Sequence, residues 1–458
     1  MPPTRALIVL LLAAATAAAP THAITPAQID EALQAAKSWL KEQQYTEKDV
    51  GKKIRYKNRQ GQWAEYEVKP EDVGAFPMTY KRDVTYYCLP NLHTYVVMDT
   101  LLTAYEAGVR DDTVREMILK ALQFMWNVKG KYQRKEDPNG KWAYWVRIRQ
   151  GKEVASAGLT AKFALPFFRA RKAGIIPDDL WREYEPFLKK VVAWLREGPN
   201  LQKEDEGYFW IDYPDRPGGA HGITDVTSYC LRTLLAAGAP PDDGLVLKVV
   251  EWFLNHQDEK GNFYTDPRDT GCPYPLYTTG HARAMIALCD WLKAVREAGK
   301  ERELKDLVER VKKALKRAID YLLSLRDPKT GMWGRGPLTE YPPDYGSTAS
   351  ALVALLRCAE LGLIDPNHPA IVQALDVLYR QYQEAKRLRL PFYWYFIRSV
   401  WSPELRFRSQ TLATSYALAA FALAKKLGIG KKVRRWKLPV HPVVTLPALI
   451  ALLLARRR

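Results

Sequence analysis

Hydrophobic positions recur every three to four residues along most of the chain, and two kinds of helical pattern alternate. One kind is amphipathic and heavily charged, as in Leu304-Lys-Asp-Leu-Val-Glu-Arg-Val-Lys-Lys, so one of its faces must meet solvent. The other is small and apolar around most of its circumference, as in Ser347-Thr-Ala-Ser-Ala-Leu-Val-Ala-Leu-Leu, and such a helix is buried on nearly all sides. The spacing predicts amphipathic helices over about 24–44, 112–128, 179–197, 243–257, 302–325 and 367–387. It predicts apolar helices over about 91–108, 156–174, 222–238, 278–299, 346–362 and 408–428. Pro166 is expected to kink or shorten the second apolar helix.

The stretch from Gly222 to Phe263 shows how one kind leads to the other. An apolar helix closes at Gly238, a Pro-Pro-Asp-Asp turn follows, and an amphipathic helix runs to a Gly-x-aromatic loop. A helix end favours a residue that tolerates a left-handed backbone, and the next start favours a polar cap. The same punctuation occurs at Gly108, Gly174, Gly238, Gly299, Gly362 and Gly428, with separations of 66, 64, 61, 63 and 66 residues. So constant a period means repeated helical pairs. Six outer and six inner helices predict an all-α protein, an (α/α)6 toroid with the inner ring packed inside the outer. An open superhelix is the rival, but solenoids usually show weaker asymmetry between their two helix sets and atypical capping repeats.

The connections are unequal. Inner-to-outer links are short, whereas the outer-to-inner links at 45–90, 129–155, 198–221, 258–277, 327–345 and 388–407 are long and aromatic, with short strands expected around 53–68. Long loops on a rigid scaffold concentrate function. Gly61-Gln-Trp63, Gly140-Lys-Trp142, Gly207-Tyr-Phe209, Gly261-Asn-Phe263 and Gly331-Met-Trp333 share a pattern, complete as Gln257-Asp-Glu-Lys-Gly261-Asn-Phe263. Its recurrence points to aromatics that pack between units. With this Gln-x3-Gly-x-aromatic signature, residues 24–430 resemble the terpenoid cyclase and protein prenyltransferase toroids, above all the squalene cyclase branch. The resemblance implies the fold. It does not bring the reaction, because the Asp-x-Asp-Asp acid and a prenyltransferase-like zinc set are missing.

The two ends change the picture of where this toroid works. Residues 1–23 carry Arg5, an apolar run and a Thr21-His22-Ala23 cleavage site, so they read as a secretory signal. Residues 431–458 hold a basic linker, a proline-interrupted apolar segment and a terminal Arg456-Arg-Arg458. That layout resembles exosortase-type C-terminal sorting signals, and a simple tail anchor fits it too. The expected location is therefore periplasmic, cell-surface or extracellular, with the membrane a partner through the C-terminal segment. The net charge of +18 favours acidic partners. Export argues against nucleic acid and leaves a polysaccharide or other polymer, bound by a protein expected to be a monomer. Of five cysteines, Cys230, Cys289 and Cys358 fall inside apolar helices as buried thiols, and Cys88 and Cys272 lie in loops where one disulfide is allowed.

Candidate chemistry gathers where inner helices begin, since helix N-termini favour anions. Asn91, His93 and Tyr95 open the first, His221, Asp225 and Thr227 the third, Tyr277 and His281 the fourth, Asp344 and Tyr345 the fifth, and Arg406 and Arg408 the sixth. Loop aromatics Trp210, Tyr274 and Trp394 join Tyr95, Asp344, Tyr345 and Arg406 as expected substrate contacts. In one reading, Asn91, His93, His221, Asp225, Tyr277, His281 and Arg408 are catalytic: His or Tyr removes a proton alpha to a carboxylate, and Asn and Arg stabilise the charge. Asn91-Leu-His93-Thr-Tyr95 is loosely similar to the Asn-His region of alginate-lyase-like enzymes. A metal on His93, His221, His281 and Asp225 is a weaker reading, lacking a compact ligand motif, so no cofactor is expected. Carboxylate pairs for glycoside hydrolysis could come from Asp225, Asp266, Asp269 and Asp344. A non-catalytic binding module and a diverged isoprenoid enzyme stay open beside the glycan enzyme.

Overall fold

The computed structural model describes residues 24–58, 61–81, 88–90, 93–132, 146–149, 152–204, 207–211, 223–263, 277–335, 342–395 and 409–431. Outer helices are α1 (Pro26–Gln43), α3 (Asp112–Tyr132), α5 (Asp178–Glu197), α7 (Gly244–Asn255), α9 (Lys305–Ser324) and α11 (Pro369–Arg387). Inner helices are α2 (Thr94–Glu106), α4 (Ala157–Lys172), α6 (Ile223–Ala236), α8 (Tyr277–Glu297), α10 (Tyr345–Glu360) and α12 (Gln410–Lys426). Each inner helix packs against the next, and α12 returns to α2, so the inner ring closes. The outer seam closes too: Glu31 of α1 accepts hydrogen bonds from Tyr379 at 2.7 Å and Gln383 at 3.0 Å on α11. The expected (α/α)6 toroid is the observed fold. Among the described residues no helix is long and apolar enough to cross a membrane.

Local chemistry explains the boundaries. Thr25 caps α1 with Gln28 reaching back, and Asp243 of the Pro-Pro-Asp-Asp turn accepts from the Leu245 and Val246 N–H groups to start α7. Pro166 neither shortens nor ends α4, which runs on to Lys172 with Ala164, Leu165, Phe167 and Phe168 buried around it. Tertiary burial on all sides outweighs the one missing backbone donor. Three antiparallel hairpins sit in the long loops: β1–β2 (Lys53–Lys57, Trp63–Glu67), β3–β4 (Val146–Arg149, Lys152–Ala155) and β5–β6 (Leu201–Glu204, Gly207–Trp210). Only the first was expected.

The Gln-x3-Gly-x-aromatic loops work as mechanical clips. Gln257 donates from one amide nitrogen to the Gly261 carbonyl at 2.9 Å and to the Ala314 carbonyl of the next outer helix at 2.8 Å. Gln44 does the same to Gly74 at 3.0 Å and Met117 at 2.8 Å, so the first unit's motif is split by the β1–β2 insertion. Gly74-Ala-Phe76, with Phe76 fully buried, therefore takes the packing place expected of Gly61-Gln-Trp63. Trp63 instead stands 51% exposed on the hairpin, and Gly140-Lys-Trp142 lies outside the described residues. Gly261 has φ +93°, and a Cβ there would overlap the Arg317 carbonyl of α9. Gly261→Ala is expected to destabilise the protein by about 3 kcal/mol, from backbone strain plus a clash that backbone cannot relieve. Urea denaturation checks this, and a change below about 0.5 kcal/mol, the size of an ordinary surface substitution, would contradict the clip.

Candidate functional site

Several residues expected at the mouth serve the repeat instead. Thr94, Thr227 and Thr348, in the first turns of α2, α6 and α10, accept from the main-chain N–H of Phe76 at 2.8 Å, Trp210 at 3.1 Å and Trp333 at 3.0 Å. His281 holds the same place in α8: its Nδ1 accepts from Phe263 N at 3.3 Å and its Nε2 meets the Ala318 carbonyl at 2.9 Å. Both ring nitrogens are thus spent on main chain between the rings, which removes His281 from the catalytic set. Trp210 and Trp394 are fully buried, donating their indole N–H to Leu195 O at 2.8 Å and Leu378 O at 2.9 Å, so neither meets a substrate. Asp344 is a buried N-cap of α10, bonded to Ser347 N at 2.7 Å and Ser347 Oγ at 2.9 Å. Tyr345 packs edge-on to Tyr395 with ring centroids 5.2 Å apart. These four are corrected from substrate contacts to packing and capping residues.

The histidines also set a pH dependence. Burial, only partly opposed by the bond to Ala318, holds the His281 imidazole down at about 4, against an ordinary 6.5. Burial and the neighbouring Lys162 and Arg283 hold His93 at about 4. Between pH 6.5 and 4 the unfolded chain takes up protons that the folded chain refuses. Stability is therefore full above 6.5 and falls as the pH drops through that window, by up to about 1.4 kcal/mol per pH unit for each histidine. His281→Asn should flatten the difference between urea midpoints at pH 7 and pH 5; an unchanged difference would contradict the assignment.

What the inner-helix N-termini do bring together is a charged pit. Asp225 on α6 accepts from Lys162 Nζ of α4 at 2.8 Å and from an Arg283 guanidinium nitrogen of α8 at 2.5 Å. Tyr229, one turn below Asp225, lies 4.7 Å from Lys162 and 5.4 Å from Arg283 in cation–π contact. Tyr416 of α12 is near enough to Arg283 to favour its charged form. His93, the N-cap of α2, stacks on Tyr95 at 6.0 Å and feels both cations. Burial would raise the Asp225 carboxyl, but Arg283 and Lys162 outweigh it and hold it down at about 2. Asp225 raises Lys162 in turn, against burial. The pit therefore holds two cations and one carboxylate at neutral pH, with a neutral imidazole and three phenols beside them. Within the pit the charges leave one positive charge over, near helix N-termini that favour an anion.

Seven residues further along the same helices, two turns or about 10 Å lower, a second layer closes the bore. Asp99 of α2 takes Arg169 of α4 and, at 2.8 Å, Arg232 of α6; Asp290 of α8 takes Arg232 at 2.8 Å and Arg357 of α10 at 2.7 Å. Glu106 and Glu360 complete this belt on Arg169 and Arg357. Below it a cavity of about 240 Å³ opens on the short-loop face, near Lys172, Lys293 and Glu297. There Lys172 is already paired with Glu297 at 2.7 Å. The helix C-termini that surround this cavity disfavour an anion.

Of the expected catalytic and binding residues, His93, Tyr95 and Asp225 meet in the pit. Tyr277 begins α8. Asn91, His221, Tyr274, Arg406 and Arg408, with Asp266 and Asp269, lie outside the described residues. Lys162, Arg283, Tyr229 and Tyr416 were not foreseen. The metal reading loses His281 to main-chain bonds, and both Asp225 oxygens are taken by cations. Among the described residues, no group of three or more His, Cys, Asp or Glu is placed to hold a metal ion.

No family model matches the chain, and no curated protein matches it. Solved structures do. A possible member of the GH105 family from Salmonella enterica serovar Paratyphi A has a TM-score of 0.53 at 13% identity, covering 90% of this chain and 96% of its own. A possible GH105 member from Klebsiella pneumoniae has a TM-score of 0.54 at 12% identity, covering 90% and 96%. A type II terpene cyclase from Scytonema has a TM-score of 0.47 at 13% identity, covering 88% and 98%. The chain shares the α/α toroid fold of the two possible GH105 members, the fold that its repeats predict.

Proposed function

We propose that the chain is an exported toroid that binds an extended, carboxylate-bearing glycan at the long-loop mouth and cleaves it by β-elimination. The carrying observation is the pit in which Lys162 and Arg283 share a single carboxylate, Asp225, beside His93 and Tyr95. A sugar carboxylate seated against the two cations loses its charge penalty, and the neighbouring C–H becomes more acidic. His93, neutral near pH 7, accepts that proton; the C–H electron pair becomes a C=C bond as the C–O bond to the next sugar breaks; Tyr95 protonates the leaving oxygen. Asp225 holds the two cations in place. The fold neighbours that are possible GH105 members, a glycoside hydrolase family, support a glycan as the polymer class. The secretory signal and the C-terminal segment fit a protein exported and held at the envelope, working as a monomer.

A binding-only module is the second reading, favoured by the belt that closes the bore below the pit. An isoprenoid substrate fits poorly, because a hydrocarbon chain entering this bore would displace water from charged groups and offer them nothing. The test is incubation of the protein with polyuronates and neutral polysaccharides, following new unsaturation and new reducing ends. Both signals together on a polyuronate support elimination. Reducing ends without unsaturation indicate hydrolysis, binding without product indicates the module, and neither binding nor product sinks the proposal.

A further inference from the structure

Two cysteines that the sequence places 69 residues apart meet in the inner ring. Cys289 of α8 and Cys358 of α10 lie with their sulfurs 3.6 Å apart, in van der Waals contact, and both are buried. The neighbouring residues Asp290 and Arg357 form a 2.7 Å ion pair of the belt between the same two helices. That pair fixes the register of α8 against α10, so the thiols stay opposite one another. Cys230, in the equivalent apolar helix α6, has its sulfur 3.9 Å from the Ala157 carbonyl.

We infer that Cys289 and Cys358 are joined by a disulfide when the protein folds in an oxidising compartment, making a covalent staple across the fourth and fifth inner helices. Closing the contact to a bond length of about 2 Å needs side-chain rotation and a small approach of the helices. The oxidant is a disulfide donor of the thiol–disulfide exchange class. One cysteine thiolate attacks the donor's disulfide, forming a mixed disulfide and releasing the donor's first thiolate. The second cysteine thiolate then attacks the bonded cysteine sulfur, forming the staple and releasing the donor's second thiolate. The two cysteines lose two protons and two electrons, and the donor gains both. Since both sulfurs are buried in the closed ring, exchange happens before α8 and α10 dock. The staple closes a long loop, so its stabilisation acts largely on the unfolded chain.

The test is refolding of the full chain from denaturant with oxidised glutathione, then denaturing alkylation without reductant, protease digestion and mass mapping. The expected result is one fragment joining the Cys289 and Cys358 peptides, lighter than their sum by two hydrogens, and a melting temperature that reductant lowers. In Cys289→Ser the joined fragment and the reductant effect both vanish. Two alkylated peptides, or Cys289 or Cys358 joined to another cysteine, would overturn the inference. Because the readout is covalent, it stands or falls independently of the glycan reading.

Discussion

Asp99→Asn is expected to destabilise the protein by about 3 kcal/mol. Asp99 is a half-buried carboxylate that accepts from two guanidinium groups, Arg169 of α4 and Arg232 of α6, with its own backbone carbonyl taking Arg169 again at 2.9 Å. Burial raises its carboxyl, but Arg232 and Arg169 together hold it below the usual range. Asparagine keeps the shape and loses the charge, leaving two buried cations with less compensation than their desolvation requires. Glu106 still serves Arg169 and Asp290 still serves Arg232, which keeps the loss near the low end for a broken buried pair. The measurement is the urea midpoint at pH 7 with the denaturant slope unchanged. A loss below about 1 kcal/mol, the value of an exposed pair, would mean that the belt is solvated and does not close the bore.

The second large effect is on the ligand. Lys162→Met removes one of the two cations of the pit, leaving Asp225 paired with Arg283 at 2.5 Å and the local charge balanced. Affinity for a polyuronate should fall about a hundredfold, in line with the cost of truncating one partner of a buried charge pair. The fold should persist, since Asp225 keeps a partner and methionine fills the aliphatic stem's place. Equal affinity in the variant, measured by calorimetry on protein with an unchanged melting curve, would take Lys162 out of the site.

Repetition made the fold legible. A spacing near 64 residues and a glycine closing each of the six inner helices set the repeat, and the helices begin and end within a few residues of where these signals put them. Pro166 misled because propensity is a local signal and burial between two rings is not. The site was legible only in part, for a related reason. Expectation went to the long loops and to histidines, whereas the chemistry that the described residues carry sits inside the apolar helices. Lys162 and Arg169, Asp225 and Arg232, Arg283 and Asp290 are isolated charges in otherwise apolar runs, seven residues apart within each helix and 58 or 63 residues apart between helices. A charge in a helix buried on all sides must be paired. That double periodicity was available in the sequence as a sign of a charged bore. What the sequence lacks is the across-ring geometry, which makes Asp225 a shared partner of two cations and leaves one positive charge over. His281 failed as a catalyst for the converse reason: it occupies the repeat position of Thr94, Thr227 and Thr348, and a residue in the repeat's register usually does the repeat's job.

The most direct test of a carboxylate receptor at the long-loop mouth is calorimetric titration with one polyuronate in two forms, free acid and methyl ester, at several salt concentrations. The predicted result is binding of the free acid that weakens with salt, little binding of the ester, and loss of the discrimination in Lys162→Met. Equal affinity for acid and ester in the wild type would contradict it.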